Sequence, residues 1–238
     1  MARPLKSSAS YGSQQSEWLE LAPSEGLGGV VAAAWMGSAG GWSRPLRLLP
    51  DGCADLVWDG RRLTFFRPVD RPLHGHLLAE TRNIGLRLEC GFAGVVFASL
   101  HCLQHDAERS LPKIREPERR LEVLQQLVAK HLPPRPGDPS TLAAVAAIRG
   151  GAAVSEAAAA SGLELRELRR RFASAVGLSP KRLQRVLRFD RLRAEVGSGL
   201  AAARLAGELG YADQAHMIRE CRRLSGSTPG QLARTLDA

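Results

Sequence analysis

Hydrophobic and polar positions divide the chain into two parts with different periods. Between residues 27 and 88, apolar residues come in short runs separated by turn formers, a pattern typical of β-strands. These runs are residues 30–35, 46–49, 54–58, 63–66 and 84–88. After Pro117 the apolar positions fall at helical spacing instead. The pattern therefore predicts an α+β protein, with a β-rich domain first and an all-α domain last.

A proline-rich segment separates the two parts. Residues 132–139 contain four prolines, which can continue neither a helix nor a sheet, so we expect a semi-rigid linker there. The helix predicted before it has apolar positions at Leu121, Leu124 and Val128. The first 17 residues are small and polar. The sequence thus predicts a disordered tail at 1–17, a domain at 18–131, the linker at 132–139 and a helical domain at 140–238.

The predicted helical domain twice repeats a helix, a glycine-containing turn and a second helix. The segments are 154–160, 161–163 and 165–176 in the first unit, and 200–209, 210–212 and 213–224 in the second. Gly162 and Gly210 permit the sharp bend that such a unit needs, and Asp213 is a suitable N-cap. Ser179 and Pro180 would start a helix over 181–196. The sequence therefore predicts two helix-turn-helix units joined by a linker helix.

The second helix of each unit has an apolar face and an opposite polar face. At about 100° per residue, Leu168 and Phe172 share one face of the first. Met217, Cys221 and Leu224 share one face of the second. The outward positions are Arg166, Arg169, Arg170 and Ala173 in the first helix, and Ala215, Ile218, Arg219 and Arg222 in the second.

These outward faces favour DNA binding. An exposed isoleucine beside arginines suits a major groove, where apolar groups touch thymine methyls and arginine pairs with guanine. One such helix would equally suit a solvated surface, but two in matching phase favour recognition of DNA. The charge distribution also supports DNA binding. Residues 140–238 hold 16 Lys and Arg against 9 Asp and Glu, whereas residues 1–139 hold 17 against 15. Arginine also suits phosphates.

Two runs in the helical domain resemble the AraC/XylS family of transcription regulators. They are RRFASAVGLSPK at 170–181 and ELGYADQAHMIRECRRLSGSTP at 208–229, and the resemblance extends over 140–238. It implies that both recognition helices enter successive major grooves of double-stranded DNA. His216 is expected to pack within the protein. The expected base readers are Arg166, Arg169, Arg170, Gln214, Ala215, Ile218 and Arg219, with Arg222 beside them on the outward face.

Two positions depart from the family pattern. Cys221 stands where the family usually has an aromatic core residue, which would cost about 1–3 kcal/mol if nothing fills the space. Glu164 replaces the usual serine-type N-cap of the first recognition helix, so the sequence fixes the first residue of that helix only to within about one turn.

The N-terminal domain is expected to sense a small molecule or to dimerise. RLLPDGCADLVW at 47–58 resembles a segment of one AraC-type branch, and IGLRL at 84–88 with GFA at 91–93 resembles it more loosely. The resemblance implies a compact, cupin-like antiparallel β domain followed by helices. The expected partners are promoter DNA, RNA polymerase, a small-molecule effector and a second copy of the chain. No cofactor, no membrane contact and a cytoplasmic location are expected.

Other readings of the N-terminal domain stay open. It could be a ligand-free protein-interaction module, or a sensor or catalyst based on cysteine or metal. Cys90, His101, Cys102 and His105 are of ligand types that suit zinc or copper, although Cys102-x-x-His105 alone is common. Asp51, Cys53 and Asp55 lack an accompanying base or oxyanion loop, so no enzyme is expected. Trp42, Trp58, Phe65 and Phe66 suit either a core or an apolar pocket.

Overall fold

The structure is a computed structural model that describes residues 18–41, 43–77, 79, 81–197 and 200–236. The tail predicted at 1–17 and the side chain of Trp42 lie outside the described residues. Across the described part, an antiparallel β region comes first and a helical region last, which confirms the predicted fold class. None of the described helices is both long and apolar enough to cross a membrane.

The N-terminal region is built on antiparallel strands. Five of them form one sheet in the order β1-β2-β7-β4-β5, and β3 pairs with β6 in a separate two-stranded sheet. The strands are β1 Trp18–Leu21, β2 Val31–Ser38, β3 Arg44–Leu48, β4 Ala54–Trp58, β5 Leu63–Phe66, β6 Leu73–Leu77 and β7 Arg82–Leu88.

The β4–β5 hairpin follows the turn chemistry of its sequence. Asp59 Oδ1 accepts hydrogen bonds from the backbone N–H groups of Arg61 and Arg62, both at 2.9 Å, and Gly60 takes a positive φ of 94°. Trp58 then pairs with Leu63 across the turn. The two strands accordingly have the bounds that the hydrophobic runs predict.

Helices cover one face of the five-stranded sheet. Leu56, Leu86 and Leu88 of the sheet share a buried cluster with Leu103 and Leu124 of the helices. This cluster is the core of the N-terminal region, and Trp58 is fully buried within it. The helical elements here are α1 Ala93–Ala98, α2 Leu100–Ser110, a 3₁₀ turn Leu111–Lys113 and α3 Pro117–His131.

A second core lies within the helical region. Phe172, Phe189, Met217 and Cys221 are among its buried members, so both predicted units pack on the same cluster. The helices are α4 Pro139–Arg149, α5 Val154–Ser161, α6 Leu165–Val176, α7 Pro180–Glu195, α8 Ala202–Glu208, α9 Gln214–Ser225 and α10 Pro229–Leu236.

The two regions are in direct contact. Glu89 accepts a 2.7 Å hydrogen bond from Arg149, and Cys90 is a member of the helical core. Gly94 of α1 lies so close to α6 that an added Cβ would collide with the carbonyl oxygen of Ser174. The N-terminal region therefore packs against a helix of the first helix-turn-helix unit.

Candidate nucleic-acid interface

In the first unit a short turn joins α5 to α6, and α6 has no serine-type N-cap. α5 ends at Ser161, and the C-cap residue Gly162 has a positive φ of 66°. α6 begins at Leu165, as the sequence pattern predicts, and Glu164 occupies the N-cap position without a side-chain capping bond. Ser161 Oγ instead accepts from the backbone N–H of Leu163 at 3.3 Å and stabilises the turn itself.

The faces of α6 are separated as the helical phase predicts. Leu168, Phe172 and Val176 are fully buried, which fixes the rotation of the helix on the core. The opposite face is open to solvent. Its exposed residues include Arg166, Arg169 and Arg170.

An ionised carboxylate lies among these arginines. Glu167 accepts hydrogen bonds from Arg170 Nε at 3.0 Å, from Arg170 Nη2 at 2.7 Å and from Arg171 Nε at 2.6 Å. The hydrogen bonds from Arg170, followed by that from Arg171, lower the pKa of Glu167 to about 2. Glu167 is therefore negatively charged at any physiological pH. Glu167 is absent from the predicted site residues, although its i, i+3 and i, i+4 spacing to two arginines is a recognisable signal.

The second unit is fixed by caps at its turn. Asp213 Oδ1 accepts from the backbone N–H of His216 at 2.6 Å, so Asp213 is the N-cap of α9. His216 Nδ1 accepts from the backbone N–H of Ala212 at 3.2 Å, and its ring stands edge-on to Tyr211 with centroids 5.5 Å apart. These contacts engage the imidazole within the unit rather than at the outer surface.

The faces of α9 repeat those of α6. Met217, Cys221 and Leu224 are buried, and Ile218 is partly exposed. Burial raises the pKa of the Cys221 thiol, which lies 3.7 Å from Ser225 Oγ. Cysteine therefore acts as a small core residue at this position. The exposed positions on the outer side include Gln214, Ala215, Arg219 and Arg222.

The linker helix α7 forms hydrogen bonds to both units. Gln184 Nε2 donates to the carbonyl oxygen of Ala152 at 3.0 Å, just before α5 begins. One turn later, Arg188 Nη1 donates to the carbonyl oxygen of Gly210 at 2.8 Å, in the turn of the second unit. Because one helix binds both units, the relative position of α6 and α9 is set by α7.

The N-terminal region also contacts this linker and the second unit. Asp70 Oδ2, in the loop between β5 and β6, lies 3.4 Å from Arg182 Nε on α7 and 3.5 Å from Arg223 Nη2 on α9. An added Cβ at Gly52 would lie 2.8 Å from Leu183 Cδ1, also on α7. Sequence reasoning missed these contacts because the residues are more than a hundred positions apart.

A charged cluster lies next to the contact at Gly52. Arg87 of β7 forms ion pairs with Asp55 at 3.4 Å, Asp51 at 3.7 Å and Glu20 at 3.9 Å. Burial raises the pKa of Asp55 to about 6, against the opposing effect of Arg87. A cavity of about 60 Å³ lies against this cluster. Its lining includes Pro50, Asp51, Cys53, Asp55, Phe66 and Arg87.

The other candidate residues of the N-terminal region are dispersed. His101, Cys102 and His105 are exposed on α2, whereas Cys90 is buried in the helical core. Within the described ranges, no group of three or more His, Cys, Asp or Glu side chains is placed to hold a metal ion. Asp51 Oδ1 accepts from the backbone N–H of Cys53 at 2.9 Å, which is the geometry of a turn.

Comparison with known proteins identifies the helical region. Residues 157–235 match a family model described as a helix-turn-helix domain. A comparison with curated proteins finds no match.

Among solved structures, the chain is similar to the C-terminal domain of AraT, a response regulator from Geobacillus stearothermophilus. The sequence identity is 20% and the TM-score is 0.39, and the alignment covers 41% of this chain and 86% of that one. It is similar to the DNA-binding domain of AdpA in complex with a target DNA, at 22% identity and a TM-score of 0.38, covering 41% and 92%. It is also similar to ToxT from Vibrio cholerae, at 9% identity and a TM-score of 0.42, covering 94% and 99%. The family match, and not these values, carries the assignment.

Two helix-turn-helix units with solvent-facing arginines, together with the family match, define a DNA-binding transcription regulator. The matched residues 157–235 include both α6 and α9, in agreement with the two helix-turn-helix units that the sequence predicts.

Proposed function

We propose that this regulator reads a specific double-stranded DNA sequence with α6 and α9. One observation carries the proposal: each unit buries one face of its second helix in a common core and presents arginines on the other. Arginine pairs with guanine edges, glutamine with adenine, and apolar groups with thymine methyls. The proposed readers are Arg166, Arg169 and Arg170 on α6, and Gln214, Ala215, Ile218, Arg219 and Arg222 on α9.

The test is selection from a random duplex library by the full-length protein, followed by a salt titration on the recovered sequence. We expect a motif about two helical turns long, because two recognition helices on one side of the duplex lie about one turn apart. We also expect the affinity to fall steeply as the salt concentration rises, since cationic side chains that bind phosphates release the counterions held there. Equal binding to all duplexes, or no binding, would contradict sequence-specific reading.

We further propose that residues 18–131 form an effector-responsive domain that acts on DNA binding through its contact with α7. The support is the location of the cavity, because Asp51 and Cys53 of its lining flank Gly52, which packs on Leu183. At about 60 Å³ the cavity holds only a very small molecule unless it widens, since typical ligand pockets measure about 300–1,000 Å³.

A metabolite panel tests the effector proposal with two readouts on the full-length protein. A true effector should raise the unfolding temperature and change the affinity for the selected motif. A compound that does the first without the second binds without regulating. If no compound changes either quantity, the effector proposal loses its support.

A second candidate role for the N-terminal region is protein interaction without a ligand. Edge strand β1 exposes Trp18, Leu19 and Leu21, at 44%, 48% and 41% of their surfaces. Exposed apolar edge strands are unusual in proteins that stay monomeric. The partners proposed for this role are a second copy of the chain and RNA polymerase. Sedimentation of wild type against Leu19→Lys tests dimerisation, and transcription reactions with purified polymerase test recruitment.

A further inference from the structure

Arg170 differs from the other proposed arginine readers in being held in place. Its guanidinium makes two hydrogen bonds to Glu167 although 73% of the arginine side chain is exposed. Within the part of the chain that the structure describes, the guanidinium groups of the other proposed arginine readers form neither a hydrogen bond nor an ion pair with the protein. These other arginines are Arg166, Arg169, Arg219 and Arg222.

The geometry of the pair determines which donors stay free. Glu167 Oε2 accepts from Arg170 Nε, and Glu167 Oε1 accepts from Arg170 Nη2, so the carboxylate covers the side edge of the guanidinium. Arginine has five N–H donors in a fixed planar fork. The end edge, formed by Nη1 and the second hydrogen of Nη2, is therefore left for another planar acceptor pair. Guanine O6 and N7 form such a pair in the major groove.

We infer that Glu167 is a positioning residue for base recognition, which holds the side edge of Arg170 so that its end edge faces a guanine. The inference rests on the proposed function of α6 as a recognition helix. Fixing the fork before DNA binds reduces the conformational entropy lost on contact. The held guanidinium also favours the two acceptors of a base edge over a phosphate that lies in another direction. An unrestrained arginine side chain could turn toward either.

The carboxylate has a second consequence for the same helix. Arg171 Nε also donates to Glu167, at 2.6 Å, and Arg171 lies 3.7 Å from Asp138. Two carboxylates thus draw Arg171 toward the protein and away from the outer face. Glu167 thereby separates the two neighbouring arginines, leaving Arg170 to contact DNA.

The test compares Glu167→Gln with a matched control, Glu164→Gln, in the full-length protein. Both changes remove one negative charge near the start of α6, but among the described residues the Glu164 side chain forms no capping bond and no ion pair with Arg170 or Arg171. Glutamine at 167 has one acceptor oxygen and cannot cover the side edge of Arg170. Far-UV circular dichroism and thermal unfolding confirm that each variant is folded.

The readout is base preference at each position of the motif selected by wild type. Arg170→Ala first identifies the base pair that Arg170 reads. Glu167→Gln should lower the preference for guanine at that base pair by roughly tenfold, within the range expected for one bidentate contact, and leave the other positions unchanged. The double variant Glu167→Gln, Arg170→Ala should lose no more than Arg170→Ala alone. Glu164→Gln should retain the wild-type preference.

Three outcomes would overturn the inference and are distinguishable. If wild type selects no motif, the proposed function fails and the inference fails with it. If wild type selects a motif and Glu167→Gln keeps its base preferences, the proposed function stands and the positioning role of Glu167 is wrong. Equal changes in Glu167→Gln and Glu164→Gln would also overturn it, because they would report only the loss of charge.

Discussion

At the scale of single residues, the least usual environment is that of Asp55. It lies with Asp51 and Glu20 around Arg87, so three carboxylates share one guanidinium. All three distances exceed 3.2 Å, the upper end of the usual range for a hydrogen bond from a nitrogen donor to oxygen. Burial therefore outweighs the attraction of Arg87 and raises the pKa of Asp55 to about 6.

This environment gives a prediction for stability against pH. Because the pKa of Asp55 is higher in the folded than in the unfolded protein, the folded state binds more protons between about pH 4 and pH 6. The contribution of Asp55 to the free energy of unfolding should then fall as the pH rises through that window, by on the order of 2 kcal/mol. Urea denaturation of wild type and Asp55→Asn at pH 4, 5, 6 and 7 measures the difference.

Asp55→Asn should show a smaller decline in stability than wild type across the same pH range. Other titrating groups cancel in this comparison, since both proteins retain them. Parallel stability curves for the two proteins would show that Asp55 titrates at its ordinary pKa.

At the scale of elements, α6 and α9 were the most predictable part of the fold. α6 begins and ends where the pattern predicts because Leu168 and Phe172 recur at helical spacing and Gly177 ends the helix. α9 is fixed in the same way by Asp213 and Gly226. Local sequence alone specifies such elements.

The missed elements lack that local signal. β6 has the sequence LHGHL, whose polar middle positions break the apolar run, and it forms only by pairing with β3. β1 is exposed at three of its four positions and pairs with β2 at the edge of the sheet. α2 buries only Leu103 and Ala107. Tertiary partners decide these elements, and a sequence pattern does not show them.

The packing of α1 on α6 gives a prediction at this scale. Gly94→Ala should destabilise the protein by about 1–3 kcal/mol, because the new Cβ collides with the backbone of α6 at Ser174 and cannot be relieved by a rotamer change. Gly207→Ala is the matched control, since Gly207 is also helical and its Cβ position is open. The control should stabilise by about 0.5–1 kcal/mol.

Thermal and urea unfolding measure both variants. An unchanged stability in Gly94→Ala would mean that α1 and α6 are not in close contact in solution.

At the scale of the whole molecule, one carboxylate joins the N-terminal region to two helices of the DNA-binding part. Asp70 lies within ion-pair distance of Arg182 on α7 and Arg223 on α9, and both arginines are more than half exposed. Exposed ion pairs of this kind contribute little to stability. Their effect on the charge presented to DNA can be larger, because each released arginine can neutralise a phosphate.

Asp70→Asn should therefore change DNA binding more than folding. We expect the unfolding free energy to change by less than about 1 kcal/mol, whereas affinity for a random duplex rises and depends more steeply on salt. Glu108→Gln is the control, since it removes the same charge from an exposed position on α2. If the two variants bind random duplex equally, Asp70 does not restrain the arginines.

The central claim is that two helices of one chain read two parts of one DNA site. The most direct measurement repeats the selection from random duplexes with full-length Arg169→Ala and Arg219→Ala. Arg234→Ala, an exposed arginine on α10, serves as the control for charge. The first two variants should lose base preference in different halves of the motif, about ten base pairs apart, and the control should lose none. Loss at the same base pairs in both variants, or in neither, would contradict the central claim.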